Sequence, residues 1–256
     1  MGLVEETNRP DLQVGQQVIS IMGEMGRAFD GGYAEYVLLP DEQVYPVRTE
    51  LALESLIALP ETYYTAFGSY LNLKIEVDDR VLVRAATSGV GIAFAKLLKG
   101  QFPKVYLAGS SRSLAKEEQL KKAGFDQVIL DQDGVLQTDE EFIKILDLVG
   151  PRDIKDSLQH LLERGIICSC GQLGGQWTLS DFDPIEALCR NVYLTTFASA
   201  NVSNEKLQEL IDFVEKYQID VQPEKIFAID QIQEAHAYLE SSQSFGKVII
   251  KNEGNL

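Results

Sequence analysis

The sequence predicts an α/β fold with a doubly wound parallel sheet, on three observations. From about residue 51 onward, short runs rich in Val, Ile and Leu alternate with segments of helical spacing, the texture of βαβ units. One such run, residues 80–86, passes through a turn of small residues straight into a helix over residues 91–98. The residues before this region read as short strands and turns without helical periodicity. A Rossmann-type sheet beside a smaller β part satisfies all three.

Each element has a local reason. Residues 17–21 alternate as a strand, Asp30-Gly31-Gly32 is a turn, and residues 33–39 form a strand stopped by Pro40-Asp41. Residues 51–59 and 63–71 have helical spacing, interrupted by Pro60. Strands follow at 80–86, 104–109 and 127–130, with a helix at 114–123 that ends at Gly124. Residues 145–149 fit a strand or a helix and stop at Gly150-Pro151. A helix over 154–164 is closed by Gly165, and strands follow at 166–170 and 192–197. Leu207, Leu210, Ile211 and Val214 make an amphipathic helix. Asp230 with Gln233 suits a capped start for a helix over 231–240. A final strand covers 245–250. The expected organisation is residues 1–54 as a β-rich part, 55–200 as a dinucleotide-binding domain, and 201–256 completing both.

The chain has 256 residues, 45% hydrophobic and 24% charged, with a net charge of -16. That length is enough for a sizeable core. So negative a surface excludes nucleic acid and anionic lipid as natural partners, since both need a basic footprint. No apolar run is long enough to span a membrane, and no secretory signal is visible, so a cytoplasmic protein is expected. Three cysteines outside a secretory context do not make a disulfide framework. Cys168 and Cys170 share one face of a strand, but no further spacing supplies the other ligands of a zinc site. No metal is expected.

The residues that carry chemistry are Ser88, Gly89, Val90 and Gly91. A strand, a small-residue turn and a helix follow one another there. A pyrophosphate needs that order: the backbone must approach it closely, and the helix start offers unpaired N–H groups with a partial positive charge. Ser88 stands where glycine is commonest, and its hydroxyl can donate to a phosphate oxygen. A tight turn without a ligand is the alternative. After the next strand come Ser110, Ser111 and Arg112, with Lys116 a turn further on. No acid lies between Ser88 and Arg112 to hold a ribose 2′-hydroxyl. Guanidinium and ammonium groups suit a 2′-phosphate instead, which points to NADP(H). The alternative is a solvated helix start.

These residues resemble a known family. Asp30-Gly31-Gly32-Tyr33-Ala34-Glu35-Tyr36-Val37, Leu59-Pro60 through Phe67, Asp79-Arg80-Val81-Leu82-Val83, Ser88-Gly89-Val90-Gly91, residues 234–241 and Gly246-Lys247-Val248 together resemble the medium-chain dehydrogenase/reductase superfamily, in its zinc-free quinone-oxidoreductase branch. The resemblance implies a GroES-like substrate domain, here incomplete, beside the Rossmann domain. It implies hydride transfer from NADPH to a quinone, an enone or a similar conjugated double bond of a small molecule, in a homodimer. It implies cofactor contacts at Thr65, Ser88 to Gly91, Ser110 to Arg112 and Lys116, and at Cys170, Gly171 and Gln172 beside the nicotinamide, with Phe197 as a further contact near a dimer edge. Asp131 departs from the pattern, because an uncharged group often flanks the adenosine phosphate there. The family has a substantial β domain before the segment like residues 10–18, so a rearranged remnant, a covering partner or a degraded copy is expected. A non-catalytic NADP(H)-binding module or subunit is the second reading.

No acid/base constellation is visible. Tyr63 and Tyr64 are the weak catalytic candidates, as hydrogen-bond donors to a carbonyl, with aromatic packing the alternative. His160 and His236 read as structural, no nucleophile elbow exists, and Trp177 reads as a packing anchor or a cover over the cleft.

Overall fold

The structure is a computed structural model and describes residues 1–241 and 243–252. The chain divides into two compact units, one of residues Met1–Tyr64 with Ser199–Leu256 and one of Thr65–Ala198.

The first unit begins with β1 (Gly2–Leu3), β2 (Gln17–Ile19) and β3 (Tyr45–Pro46), paired antiparallel in that order. Then come α1 (Leu53–Ala58) and α2 (Thr62–Leu73), which carries the chain into the second unit. There β4 (Arg80–Arg84), α3 (Gly89–Gln101), β5 (Tyr106–Ser111), α4 (Glu117–Lys122), β6 (Gln127–Gln132), β7 (Val135–Leu136), β8 (Phe142–Asp147), α5 (Ile154–Gln159), β9 (Leu161–Ser169), α6 (Pro184–Ala187) and β10 (Tyr193–Thr195) follow. The chain returns to the first unit with α7 (Asn204–Lys216), β11 (Lys225–Ala228), α8 (Ile232–Glu240) and β12 (Val248–Lys251).

The seven-stranded sheet of the second unit runs β10-β9-β8-β4-β5-β6-β7, parallel except for the β6–β7 hairpin. Its six parallel strands have the doubly wound Rossmann order, three on each side of the start. Alternation along β4 sends Val81 and Val83 to one face and Leu82 and Arg84 to the other. Leu82, Ile145 and Ile167 pack with Ile154 and Leu158 of α5. Phe94, Leu97 and Leu98 of α3 are fully buried, and Tyr70 of α2 meets Phe94 at 6.2 Å between ring centroids.

In the first unit, α7 buries the expected Leu207, Leu210, Ile211 and Val214. Its Gln208 amide bonds both backbone groups of Arg48, and Glu215 accepts from Thr49 Oγ1 at 2.6 Å. Lys251 pairs with Glu54 at 2.7 Å. These contacts tie α7 and β12 to the N-terminal segment.

Five local expectations are corrected. Residues 33–39 are not a strand: alternation makes a strand only where a neighbour takes up its backbone groups, and none does so among the described residues. Tyr36 and Leu38 are exposed, while Tyr33 bonds His236 Nε2 through its hydroxyl at 3.0 Å. The helix expected over 154–164 stops at Gln159, because the His160 carbonyl accepts Phe142 N–H at 2.8 Å and Leu161 starts β9 opposite Phe142. Gly165 is no helix stop. It sits beside the irregularity in β9 where Arg164 has φ 61, and a Cβ there would meet Leu161 Cγ at 2.8 Å. The start before α8 is capped by Gln231, whose Oε1 accepts Ala228 N–H at 3.0 Å, and not by Asp230. Trp177 is no packing anchor, since it is 73% exposed.

Ala85 follows β4 with φ 62, a left-handed conformation that costs a non-glycine residue about 1–2 kcal/mol. Ala85→Gly removes that cost and adds back part of it as unfolded-chain entropy. The expected result is a gain of roughly 0.5–1 kcal/mol in a urea titration; a lower midpoint would contradict the strain.

Candidate dinucleotide site

In a doubly wound sheet a ligand lies at the carboxyl ends of the strands, where the strand order reverses. Here that point lies between β4 and β8, and the chain builds a corner at the end of β4. Ala86 N–H donates to Ser110 O at 2.9 Å, Ala85 N–H to Ser110 Oγ at 3.3 Å, and Ser88 N–H to Ala85 O at 3.1 Å. Ser110, fully buried at the end of β5, thus holds the corner with its backbone and its side chain.

Ser88 caps α3. Its Oγ accepts Gly91 N–H at 3.1 Å and its carbonyl accepts Ile92 N–H at 3.0 Å. The Gly89 and Val90 amides remain to face a ligand, with the positive end of a helix of 13 residues behind them. Gly91 is required by close approach: a Cβ there would stand 2.7 Å from Ala86 O. At Gly109 a Cβ would meet Ala86 Cβ at 2.6 Å and Phe125 at 2.7 Å. This cradle of main-chain donors fits a pyrophosphate.

Beyond β5, Ser111 Oγ accepts Ser113 N–H at 3.4 Å, and Ser113 caps the turn that precedes α4. Arg112 is exposed and pairs with no carboxylate among the described residues, and Lys116 is half-buried. Asp126, the acid nearest β5, is taken up by Lys99 at 2.8 Å and by Leu107 N–H at 2.8 Å.

Beneath the corner lies a buried charge that residue patterns did not flag. Arg84 is fully buried, and its guanidinium donates to Asp131 at 2.9 Å, Ser157 Oγ at 2.8 Å, Asp153 O at 3.0 Å and Gly134 O at 2.7 Å, and pairs with Asp156 at 2.8 Å. One cation therefore ties β4 to the β6–β7 hairpin and to α5. The side chain of Asp131 turns inward to Arg84 and accepts Gly134 N–H at 3.1 Å. The available signal was a lone arginine on the inward face of an apolar strand, a position that demands partners.

Loops after β8 and β9 interlock. Asp147, fully buried, accepts the amides of Val149 and Gly150 and the hydroxyl of Ser157. Burial pushes its carboxyl above the usual range. Cys170 N–H donates to Asp147 O, Leu173 N–H to Leu148 O and Gly174 N–H to Val149 O. Gly171 has no room for a Cβ, which would meet Leu148 O at 2.2 Å. Cys170, Gly171 and Gln172 are thereby held at the carboxyl edge of the sheet.

The remaining candidates stand elsewhere. Tyr63 is buried, with its phenol pushed up by desolvation, and buried Tyr64 donates to Asn201 O at 2.9 Å. Both are placed for packing in the first unit. Thr65 opens the second unit, and its carbonyl accepts Ser69 Oγ at 2.8 Å. Phe197 lies on Gly68, where a Cβ would touch its ring at 2.1 Å. Among the described residues no group of three His, Cys, Asp or Glu side chains can hold a metal ion.

Removing a partner of a buried charge costs about 3–5 kcal/mol. Asp131→Ala is therefore expected to lower stability by about that amount in a urea titration, whereas exposed Asp139→Ala is near neutral. Equal, small effects would show that Arg84 does not depend on Asp131.

A family model described as zinc-binding dehydrogenase matches residues 123–250. Probable polyketide synthase 14 of Dictyostelium discoideum is 21% identical over 277 residues, covering 98% of this chain and 9% of its own length. Putative quinone oxidoreductase YhfP of Bacillus subtilis (strain 168) is 28% identical over 184 residues, covering 68% of this chain and 55% of its own. The chain thus spans about half the length of the latter and a small part of the former. Among solved structures, the yhdH oxidoreductase from Salmonella enterica in complex with NADP superposes with a TM-score of 0.84 at 19% identity, covering 98% of this chain and 79% of the other. The Bacillus subtilis yhfP structure with NAD bound gives 0.84 at 20% identity, with the same coverage.

Proposed function

Since the chain belongs to the zinc-binding dehydrogenases of the medium-chain dehydrogenase/reductase superfamily, in the quinone oxidoreductase-like branch, we propose that it is an NADP(H)-dependent oxidoreductase that reduces a quinone, an enone or a similar conjugated double bond. The observation that carries this reading is the corner itself: Gly91 against the Ala86 carbonyl, with Ser88 capping α3 and the Gly89 and Val90 amides in its first turn. Those four residues hold the pyrophosphate. Ser111, Arg112 and Lys116, beyond buried Ser110, hold the 2′-phosphate. Thr65, Cys170, Gly171, Gln172 and Phe197 border the nicotinamide end.

When bound, the nicotinamide supplies the hydride, and the protein binds, orients and excludes water. The preference for NADP(H) rests on exposed Arg112 and on Asp126 and Asp131 being engaged internally. The solved yhfP structure holds NAD, so this preference is the part that a binding measurement must decide. The reading takes the enzyme as zinc-free, on its donor set, and as a cytoplasmic homodimer. Residues 65–198 form the cofactor domain, and residues 1–64 with the C-terminal segment form a GroES-like substrate domain.

A second reading, a non-catalytic NADP(H)-binding module of a larger assembly, draws on the polyketide synthase relative, of which the matched part is 9%. NADPH oxidation across a panel of quinones and enones separates the two. Turnover is expected; a thermal shift with NADPH and no turnover favours the module. Arg112→Ala is expected to weaken NADPH roughly ten- to a hundredfold, the worth of a charge-assisted hydrogen bond, with NADH little changed. Equal weakening of both would remove the 2′-phosphate assignment.

A further inference from the structure

Within the first unit a cavity of about 280 Å³ lies among the turn after β2, the junction of α1 and α2, and the residue before β12. Its size is at the small end for ligand sites. Ile21, Met22, Met25 and Ile57 give it an apolar wall, and Ser20, Arg27 and Lys247 give it polar groups. None of these side chains has a part in the proposed hydride chemistry. The Lys247 backbone is fixed, its carbonyl accepting Glu224 N–H at 2.7 Å. The Lys247 ammonium, largely out of solvent, donates to Thr62 Oγ1 at 3.0 Å and reaches Pro60 O at 3.5 Å. An ammonium has three protons to donate, and 3.5 Å is at the weak limit of a hydrogen bond, so at least one donor is left over.

No carboxylate among the described residues forms an ion pair with Lys247. Glu61, the acid that acts on it, is exposed. A buried cation without a close counter-ion is costly. Burial accordingly pulls the Lys247 amine below its ordinary range, with Glu61 acting the other way. Ser20 Oγ is closed off from solvent and has no hydrogen-bond partner among the described residues, a state that native folds rarely leave unexplained. No hydrogen bond holds its rotamer, so the hydroxyl is free to turn about χ1 toward a ligand. Arg27 is exposed and pairs with no carboxylate among the described residues. Two cations thus stand against one acid beside an apolar wall, on a chain whose net charge is -16.

We propose that this cavity binds a small monocarboxylate, with the carboxylate on the Lys247 ammonium and the Ser20 hydroxyl and a short apolar chain against Ile21, Met22, Met25 and Ile57. The buried cation selects an anion. The apolar wall selects an organic one, since phosphate or sulfate would leave that surface wet. Glu61 disfavours a second negative charge, so a single carboxylate fits better than a dicarboxylate. The site is noncovalent and does not rest on hydride transfer or on the dinucleotide assignment.

The test uses the full chain without nicotinamide cofactor. Sodium hexanoate, hexanamide and hexylammonium chloride are titrated by calorimetry at neutral pH. Hexanoate is expected to bind at one site, at least about tenfold more tightly than the amide or the ammonium, the worth of a hydrogen bond to a charged group. Butyrate is expected to bind more weakly than hexanoate, by about fourfold for each methylene lost from the apolar wall. Hexanoate binding no tighter than hexanamide overturns the proposal. Lys247→Met is expected to weaken hexanoate roughly tenfold to a hundredfold and Ser20→Ala about threefold to tenfold; an affinity unchanged in Lys247→Met overturns the site. Because Lys247 also holds Thr62, a second measurement keeps the chain unaltered. Lysines are acetylated with an N-hydroxysuccinimide ester and read by mass spectrometry, with exposed Lys104 as the internal reference. Saturating hexanoate is expected to slow Lys247 acetylation at least about threefold relative to Lys104, and hexanamide to leave the ratio as it is. A ratio that hexanoate does not change overturns the proposal in the same way.

Discussion

The approach of the α3 backbone to the Ala86 carbonyl sets everything downstream of it. With a side chain at residue 91, the helix would have to withdraw from the sheet, since the atom it meets is a main-chain oxygen 2.7 Å away. The withdrawn helix could not keep its Ser88 cap above the corner that Ser110 holds from β5. Nor could its first amides stand at the carboxyl edge of β4, where the strand order reverses. Sheet order, turn geometry and helix dipole therefore act at one place, and the proposed pyrophosphate site rests on that coincidence.

Arg84 supports the same corner from below. A buried guanidinium is tolerated only when its donors are matched, and here three aspartates, a serine hydroxyl and two carbonyls match them. The arrangement converts an unfavourable burial into a long-range tie between β4, the β6–β7 hairpin and α5. It also removes Asp131 from the surface beside the proposed adenosine end. On the proposed reading, Arg112 and Lys116 supply the positive charge offered to a ligand there, on a chain whose net charge is -16.

At the other end, the loops after β8 and β9 are locked by glycines that leave no space for a Cβ and by Asp147, which gathers two amides and a hydroxyl. This rigidity holds Cys170 in a fixed relation to Cys168 and Ser69. Rigid positioning of this kind suits the nicotinamide end of the proposed cofactor site.

Features that depend on neighbours in the chain were legible before any tertiary contact was known. The glycine turn at Ser88 to Gly91, the strands around it and the amphipathic stripe of α7 all arise from local spacing and small-residue placement. Features that depend on distant partners were not. Residues 33–39 alternate like a strand, yet a strand exists only where another backbone accepts its hydrogen bonds. Gly165 looks like a helix stop, yet Phe142 had already drawn His160 and Leu161 into the sheet. Arg84 and Asp131 lie 47 residues apart, and nothing in either local pattern announces the other. Periodicity reports which face of an element is buried, whereas the fold decides what that face meets, because burial makes each polar group seek a partner wherever the chain brings one.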